Sequence, residues 1–199
     1  MGQKWGGRLT SELEAKVRWL KWYFAYAAPR VLDFTPAAED PVLIFTDGAV
    51  EGDKVTCGGV LVDKGRVEAF GCDIPEGWVS KWRIDKKDKQ CIGQAELFPV
   101  LVSRLTWKER LRGRRVIFFI DNDSARFALI AMHSPVLASR HIIWEVASLD
   151  VEVATLNWYA RVPTASNIAD APSRLDFAEV ISLGGVVVAP VFPTWCELS

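Results

Sequence analysis

The sequence predicts an α/β fold, a mixed five-stranded sheet with helices on both faces. Three observations predict it. Short apolar or alternating runs follow one another over residues 42–73; the unbroken apolar run RVIFFID (115–121) suits a strand covered on both faces; and segments of helical period flank that run. With 199 residues, 50% of them hydrophobic, the chain has enough apolar surface for one globular domain with appendages.

Residues 10–27 read as a helix. Ser11 and Glu14 have capping-box spacing, Leu13, Val17, Leu20 and Phe24 recur on one face, and Pro29 ends the run. That apolar stripe is expected to dock on another surface. RVLDFTPAAEDP (30–41), with its two prolines, reads as a linker, so residues 1–41 form an N-terminal helix and linker. VLIFTD (42–47), CGGVLVD (57–63) and RVEAFGCD (66–73) predict a three-stranded antiparallel meander. The stretch WVSKWRIDKKDKQ (78–90) reads as a loop, and a helix follows over about 94–107. After the strand at 115–121, a helix is expected over 124–132, with Asn122 or Asp123 as its cap. A third helix opens on Ser134 and Pro135 and runs to about Leu149. VEVATLNWY (151–159) predicts the fifth strand, and a helical turn follows near 167–170. Residues 177–199, rich in Gly and Pro, are read as a C-terminal tail.

Composition narrows the function. No run is long enough to span a bilayer, and Met1 leads into a polar stretch with no apolar signal-peptide core. A soluble intracellular protein, cytoplasmic or nuclear, is expected. The four cysteines lack ligand spacing, so buried free thiols are expected rather than a zinc site or a disulfide framework. The net charge is -1; a polyanion would therefore meet a local basic patch or be held through metal.

The acidic residues supply that metal site. Asp47 and Asp121 each end an apolar strand. If those strands are parallel neighbours, about 4.8 Å apart, their carboxylates converge at one sheet edge. Glu96 on a helix and Asp170 on a helical turn would complete a set of hard oxygen ligands suited to Mg²⁺ or Mn²⁺. Two divalent ions would offset the like-charge repulsion and clamp both oxygens of an in-line phosphoryl displacement. Taken singly, Asp47 before Gly48 reads as a turn former and Glu96 and Asp170 as surface charges. The joint pattern favours function.

IFTDG (44–48), CGGVLV (57–62), QAEL (94–97), FFIDN (118–122) and RVPTASNIADAPSR (161–174), in that order, resemble the ribonuclease H family over roughly residues 42–176. The closing motif is most similar to the ribonuclease H domains of retroelement reverse transcriptases, including DIRS-like retrotransposons. The resemblance implies a ribonuclease H-like fold and hydrolysis of the RNA strand of an RNA/DNA hybrid by two Mg²⁺ ions, which Mn²⁺ can replace. Asp47, Glu96, Asp121 and Asp170 would be catalytic and metal-binding, and the polymerase part of a reverse transcriptase would be a partner. It also implies that backbone at Gly58 and Gly59 approaches the RNA strand and that Gln94 touches a 2'-hydroxyl. Asn122 and Asn167 belong to the same motifs as candidate nucleic-acid contacts. In 78–90, Lys81, Arg83, Lys86, Lys87 and Lys89 interleave with Trp78 and Trp82, a pattern in which cations meet phosphates and rings stack on bases; a solvated loop whose tryptophans pack on the core is the competing reading.

Two departures from the family stand out. Arg161 occupies the position of a mobile His and is expected to hold phosphate without exchanging protons. Pro99 lies three residues after Glu96, where it would kink the helix or move its start. A DNA nuclease or transposase of the same fold, and a catalytically silent scaffold, are the alternatives; four intact carboxylates argue against the second.

Overall fold

A computed structural model describes residues 10–26, 39–84 and 91–193. The order is α1 (Ser11–Tyr26), β1 (Val42–Glu51), β2 (Lys54–Asp63), β3 (Arg66–Asp73), α2 (Glu76–Ile84), α3 (Ile92–Thr106), α4 (Lys108–Leu111), β4 (Arg115–Ile120), α5 (Asp123–Ala131), α6 (Leu137–Val153), β5 (Leu156–Arg161), a 3₁₀ turn (Thr164–Ser166), α7 (Asp170–Ser173), α8 (Ala178–Ser182) and β6 (Val186–Val187). The strands lie in the order β5-β4-β1-β2-β3-β6. β1, β2 and β3 form the antiparallel meander, while β4 pairs parallel with both β1 and β5. The architecture is the expected mixed sheet, with one strand more: the short β6 adds to β3 from within the C-terminal segment.

Alternation along β2 assigns the two layers. A Cβ built on Gly58 would meet backbone of α7, whereas one on Gly59 would meet Phe70 and Ser103 of α3. Successive strand residues point to opposite faces, so α3 and α7 lie on opposite sides of the sheet. The main core lies on the α3 side, where Val42, Ile44, Cys57, Leu61, Phe118 and Ile120 meet α3 and α6. A smaller cluster of Val60, Ala69, Ala169 and Val180 lies on the α7 side. Cys57 and Cys91 are buried thiols and Cys72 is half-buried, all three free; Cys196 lies outside the described residues. No helix of the described residues is long and apolar enough to cross a membrane.

Four local expectations are corrected. Residues 78–84 belong to α2, not to a loop. Trp78, Val79 and Trp82 are buried, and both tryptophan rings pack on Phe98 at centroid distances of 5.1 and 5.4 Å. The fifth strand starts at Leu156, because residues 151–153 form the last turn of α6: buried Val153 continues the inward stripe from Leu149, and Ala154, at φ 53°, closes the helix. Ser134 accepts from Val136 N–H, yet α6 begins only at Leu137, so the cap sits earlier than a helix N-cap. In α1, Leu13, Leu20 and Phe24 are exposed; the helix meets α6 instead through Trp19, which stacks on Trp144 at 6.4 Å and donates to Ser148 Oγ.

The basic run around the end of α3 is structural. Buried Arg104 pairs with Asp150, donates to Tyr159 Oη at 2.8 Å and lies 4.7 Å from the Phe118 ring centroid. Arg110 bridges Asp63 and Glu68, and Arg114 bridges Asp63 and Glu39.

Two glycines side by side on β2 and β3 determine how closely α7 sits. Gly58 and Gly71 are cross-strand partners. A Cβ on Gly58 would lie 2.4 Å from Ser173 N, and one on Gly71 2.1 Å from Pro172 O. Both obstacles are backbone and cannot swing aside. Gly58→Ala is therefore expected to lower stability by about 1–3 kcal/mol, the usual effect of overpacking. Gly77→Ala, in open space on α2, is the control and should be neutral or stabilising. Urea midpoints of the two variants decide it; equal midpoints would refute the close seat of α7.

Candidate active site

The parallel pairing of β1 and β4 places Thr46 beside Ile120, so the next residues are neighbours: Asp121 lies just beyond the end of β4, whereas Asp47, expected at a strand end, lies within β1, which runs on to Glu51. Asp47 pairs with Gly58 across β1 and β2 and shares its face, toward α7. Glu96 comes from the second turn of α3, and Asp170 opens α7. Single carboxylate oxygens of Asp47, Glu96 and Asp121 all lie within 4.8 Å of one another. Asp170 is 42% exposed and lines the same open cleft of about 370 Å³. The structure thus brings all four predicted carboxylates to one cleft, three of them in contact range.

Pro99 does not displace Glu96. It lies inside α3, which already begins at Ile92. The carbonyl that a proline cannot engage is the one four residues earlier, that of Ala95, and the Cα of Gly48 packs against it: a Cβ on Gly48 would fall 2.2 Å from Ala95 O. Glu96 then receives hydrogen bonds from the Gly48 backbone and the Asn122 side chain. Asn122 also accepts from Ala125 N at 3.0 Å, so it, rather than Asp123, is the N-cap of α5.

Burial and like charge dominate the electrostatics. Burial, assisted by the charges of Asp121 and Asp170, pushes Asp47 up to about 6, against the opposing hydrogen bond from Ser173. Burial together with Asp47 and Asp121 pushes Glu96 up to about 8. Glu96 Oε2 and Asp121 Oδ1 are buried and accept no hydrogen bond among the described residues. Orphaned acceptors, raised carboxylates and a purely oxygen donor set together fit a hard divalent cation such as Mg²⁺ or Mn²⁺.

The remaining predicted contacts distribute differently. Gly58 is packed beneath α7 backbone and Gly59 against the Phe70 and Ser103 side chains, so each glycine makes room for protein at its Cβ position. Trp82 is 1% exposed and cannot stack on a base. Gln94 is fully buried in α3. Asn167 is buried as well; its amide donates to Thr46 O at 3.2 Å and its oxygen accepts from Ala169 N, which ties the closing motif to β1. Arg83 reaches back to Asp53, and neither it nor Lys81 lines the cleft. Arg161 pairs with Asp123, which also holds Arg126. Lys86, Lys87 and Lys89 lie outside the described residues. Sequence reasoning missed Gly48, Gly71 and Ser173. Only Ser173, three residues after Asp170 and so one helical turn on, carried a periodic signal.

No family model and no curated protein matches the chain. Solved structures do. RNase H1 of the halophilic archaeon Halobacterium salinarum superposes with a TM-score of 0.55 at 18% identity, over 70% of this chain and 99% of its own. An N-terminal RNase H domain from Mycobacterium tuberculosis, solved as a fusion with maltose-binding protein, gives 0.50 at 12% identity, over 72% and 98%. The chain has the ribonuclease H fold.

The raised carboxylates impose a pH dependence on the ion-free protein. Asp47 and Glu96 start from 3.8 and 4.5 and hold their protons to about 6 and about 8 when folded. Between those limits the folded state binds more protons than the unfolded state, so this contribution weakens stability as pH rises through the window and vanishes below it. The stability gain of Asp47→Asn over the wild type should therefore be near zero at about pH 4 and complete above about pH 6. That of Glu96→Gln should keep growing to about pH 8, and saturating Mg²⁺ should shrink both. Thermal midpoints across pH, with and without Mg²⁺, measure this; a gain that is flat with pH refutes it.

Proposed function

We propose that the chain is a metal-dependent ribonuclease H that hydrolyses the RNA strand of RNA/DNA hybrids, with its catalytic domain over residues 42–176. The observation that carries this reading is the convergence of Asp47, Glu96 and Asp121 within 4.8 Å, with Asp170 in the same cleft, on this fold. Asp47, Glu96, Asp121 and Asp170 would hold two Mg²⁺ or Mn²⁺ ions. When bound, such ions neutralise phosphate charge and stabilise the attacking and leaving oxygens of an in-line displacement.

The chain's own groups prepare that cleft. Asn122 and the Gly48 backbone orient Glu96. Arg174 pairs with Asp170 at 3.5 Å and Glu51 at 2.6 Å, restraining the carboxylate that α7 brings to the cleft. The closing motif RVPTASNIADAPSR supports the finer reading that this is the ribonuclease H domain of a retroelement reverse transcriptase, with the polymerase part as partner.

The test is a cleavage panel of RNA/DNA hybrid, double-stranded RNA, single strands and duplex DNA, with and without Mg²⁺. Cleavage confined to the RNA of the hybrid, requiring Mg²⁺ and lost in a folded Asp121→Asn variant, is expected. Preferential cutting of duplex DNA would instead favour a DNA nuclease of the same fold.

Arg161 provides a second test. Its pair with Asp123 is exposed, 59% and 41% for the two side chains, and such pairs contribute little, so the guanidinium is free to exchange Asp123 for a phosphate. It cannot release a proton near neutral pH as a His does. Arg161→His should raise the multiple-turnover rate while leaving single-turnover cleavage unchanged. Identical rates in both regimes would remove Arg161 from product release.

A further inference from the structure

Ser173 contributes no carboxylate, yet it is fully buried at the site. Its Oγ lies 2.5 Å from Asp47 Oδ2 and 2.7 Å from the carbonyl oxygen of Asp170. A hydroxyl has one hydrogen to donate, and a carboxylate is the stronger acceptor, so the proton belongs to Asp47. The backbone on which the hydroxyl rides is held as well: Ser173 N donates to Ala169 O at 2.9 Å, and the Gly58 and Gly71 pair lets residues 172–173 approach the sheet closely enough for the hydroxyl to reach. A carboxylate left alone turns about its last bond. With Oδ2 engaged, its plane is defined and the other oxygen keeps both lone pairs for a cation.

We propose that Ser173 is a positioning residue that holds the Asp47 carboxylate in the orientation needed to bind a divalent ion. The segment that delivers Asp170 then also orients Asp47, so two of the four carboxylates depend on one short helix. The proposal rests on the metal-site reading above.

Mn²⁺ binding to the whole chain without nucleic acid, measured by titration calorimetry, tests it on wild type, Ser173→Ala and Ser173→Cys. Cysteine keeps the volume and donates weakly, so it guards against a cavity effect in the alanine variant. The expected result is Mn²⁺ affinity about tenfold or more weaker for both variants, the range typical of residues that orient metal ligands. Single-turnover cleavage of the hybrid should fall at limiting Mn²⁺ and recover at excess Mn²⁺, with hybrid affinity unchanged. Unaltered Mn²⁺ affinity in whichever variant folds overturns the proposal, as does loss of cleavage that excess Mn²⁺ does not restore. A wild type that binds Mn²⁺ but cuts no hybrid overturns the functional reading alone, because the difference in Mn²⁺ affinity would still support Ser173. A wild type that binds no Mn²⁺ overturns both.

Discussion

The close approach of buried carboxylates is the constraint around which this fold is arranged. Asp47, Glu96 and Asp121 lie within 4.8 Å of one another, and burial first, with that like-charge repulsion added, pushes Asp47 and Glu96 up. Left on flexible segments, the three would separate. They are held on a parallel strand pair and on a helix that cannot shift along it. Gly48 against Ala95 fixes α3 relative to β1, and the Gly58 and Gly71 pair fixes α7 relative to β2 and β3. In both places a missing Cβ lets backbone touch backbone, and the approach is set by van der Waals radii instead of side-chain rotamers.

Such rigidity needs a core that does not yield. On the α3 side, Trp78, Trp82 and Phe98 pack ring against ring, and Phe70 lies on Trp107. Aromatic contacts of this kind are dense and geometrically specific. The buried pair of Arg104 and Asp150 adds directionality: Thr155 also donates to Asp150 and Asn157 to Thr155, so α3, α6 and β5 share one polar network. Breaking it on one side would strand a charge in the core.

The distribution of positive charge follows from the same economy. Arginines 104, 110 and 114 are engaged with Asp and Glu side chains inside the fold, which matches a net charge of only -1. The cleft is lined by the four carboxylates, with Arg174 beside Asp170.

Much of this was legible in the chain. The three-strand meander, the strands at 115–121 and near 156–159, and the acidic residues that follow apolar runs are legible because period-2 and period-3.6 patterns are local properties of sequence; that β1 runs on past Asp47 to Glu51 is not. The VEV at 151–153 misled because β-branched alternation also fits the last turn of a buried helix, and only contact with the core decides between them. Trp82 and Gln94 are buried and Gly58 and Gly59 are packed against other elements, because burial is set by segments distant in sequence that composition does not reveal. By itself, the sequence determined the order of the main strands and helices and the acidic residues that follow their apolar runs. Tertiary structure alone decided the parallel pairing that joins Asp47 to Asp121, the glycine seats under α3 and α7, and the hydroxyl that reaches Asp47 from residue 173, because each depends on distances between backbones that no local pattern encodes.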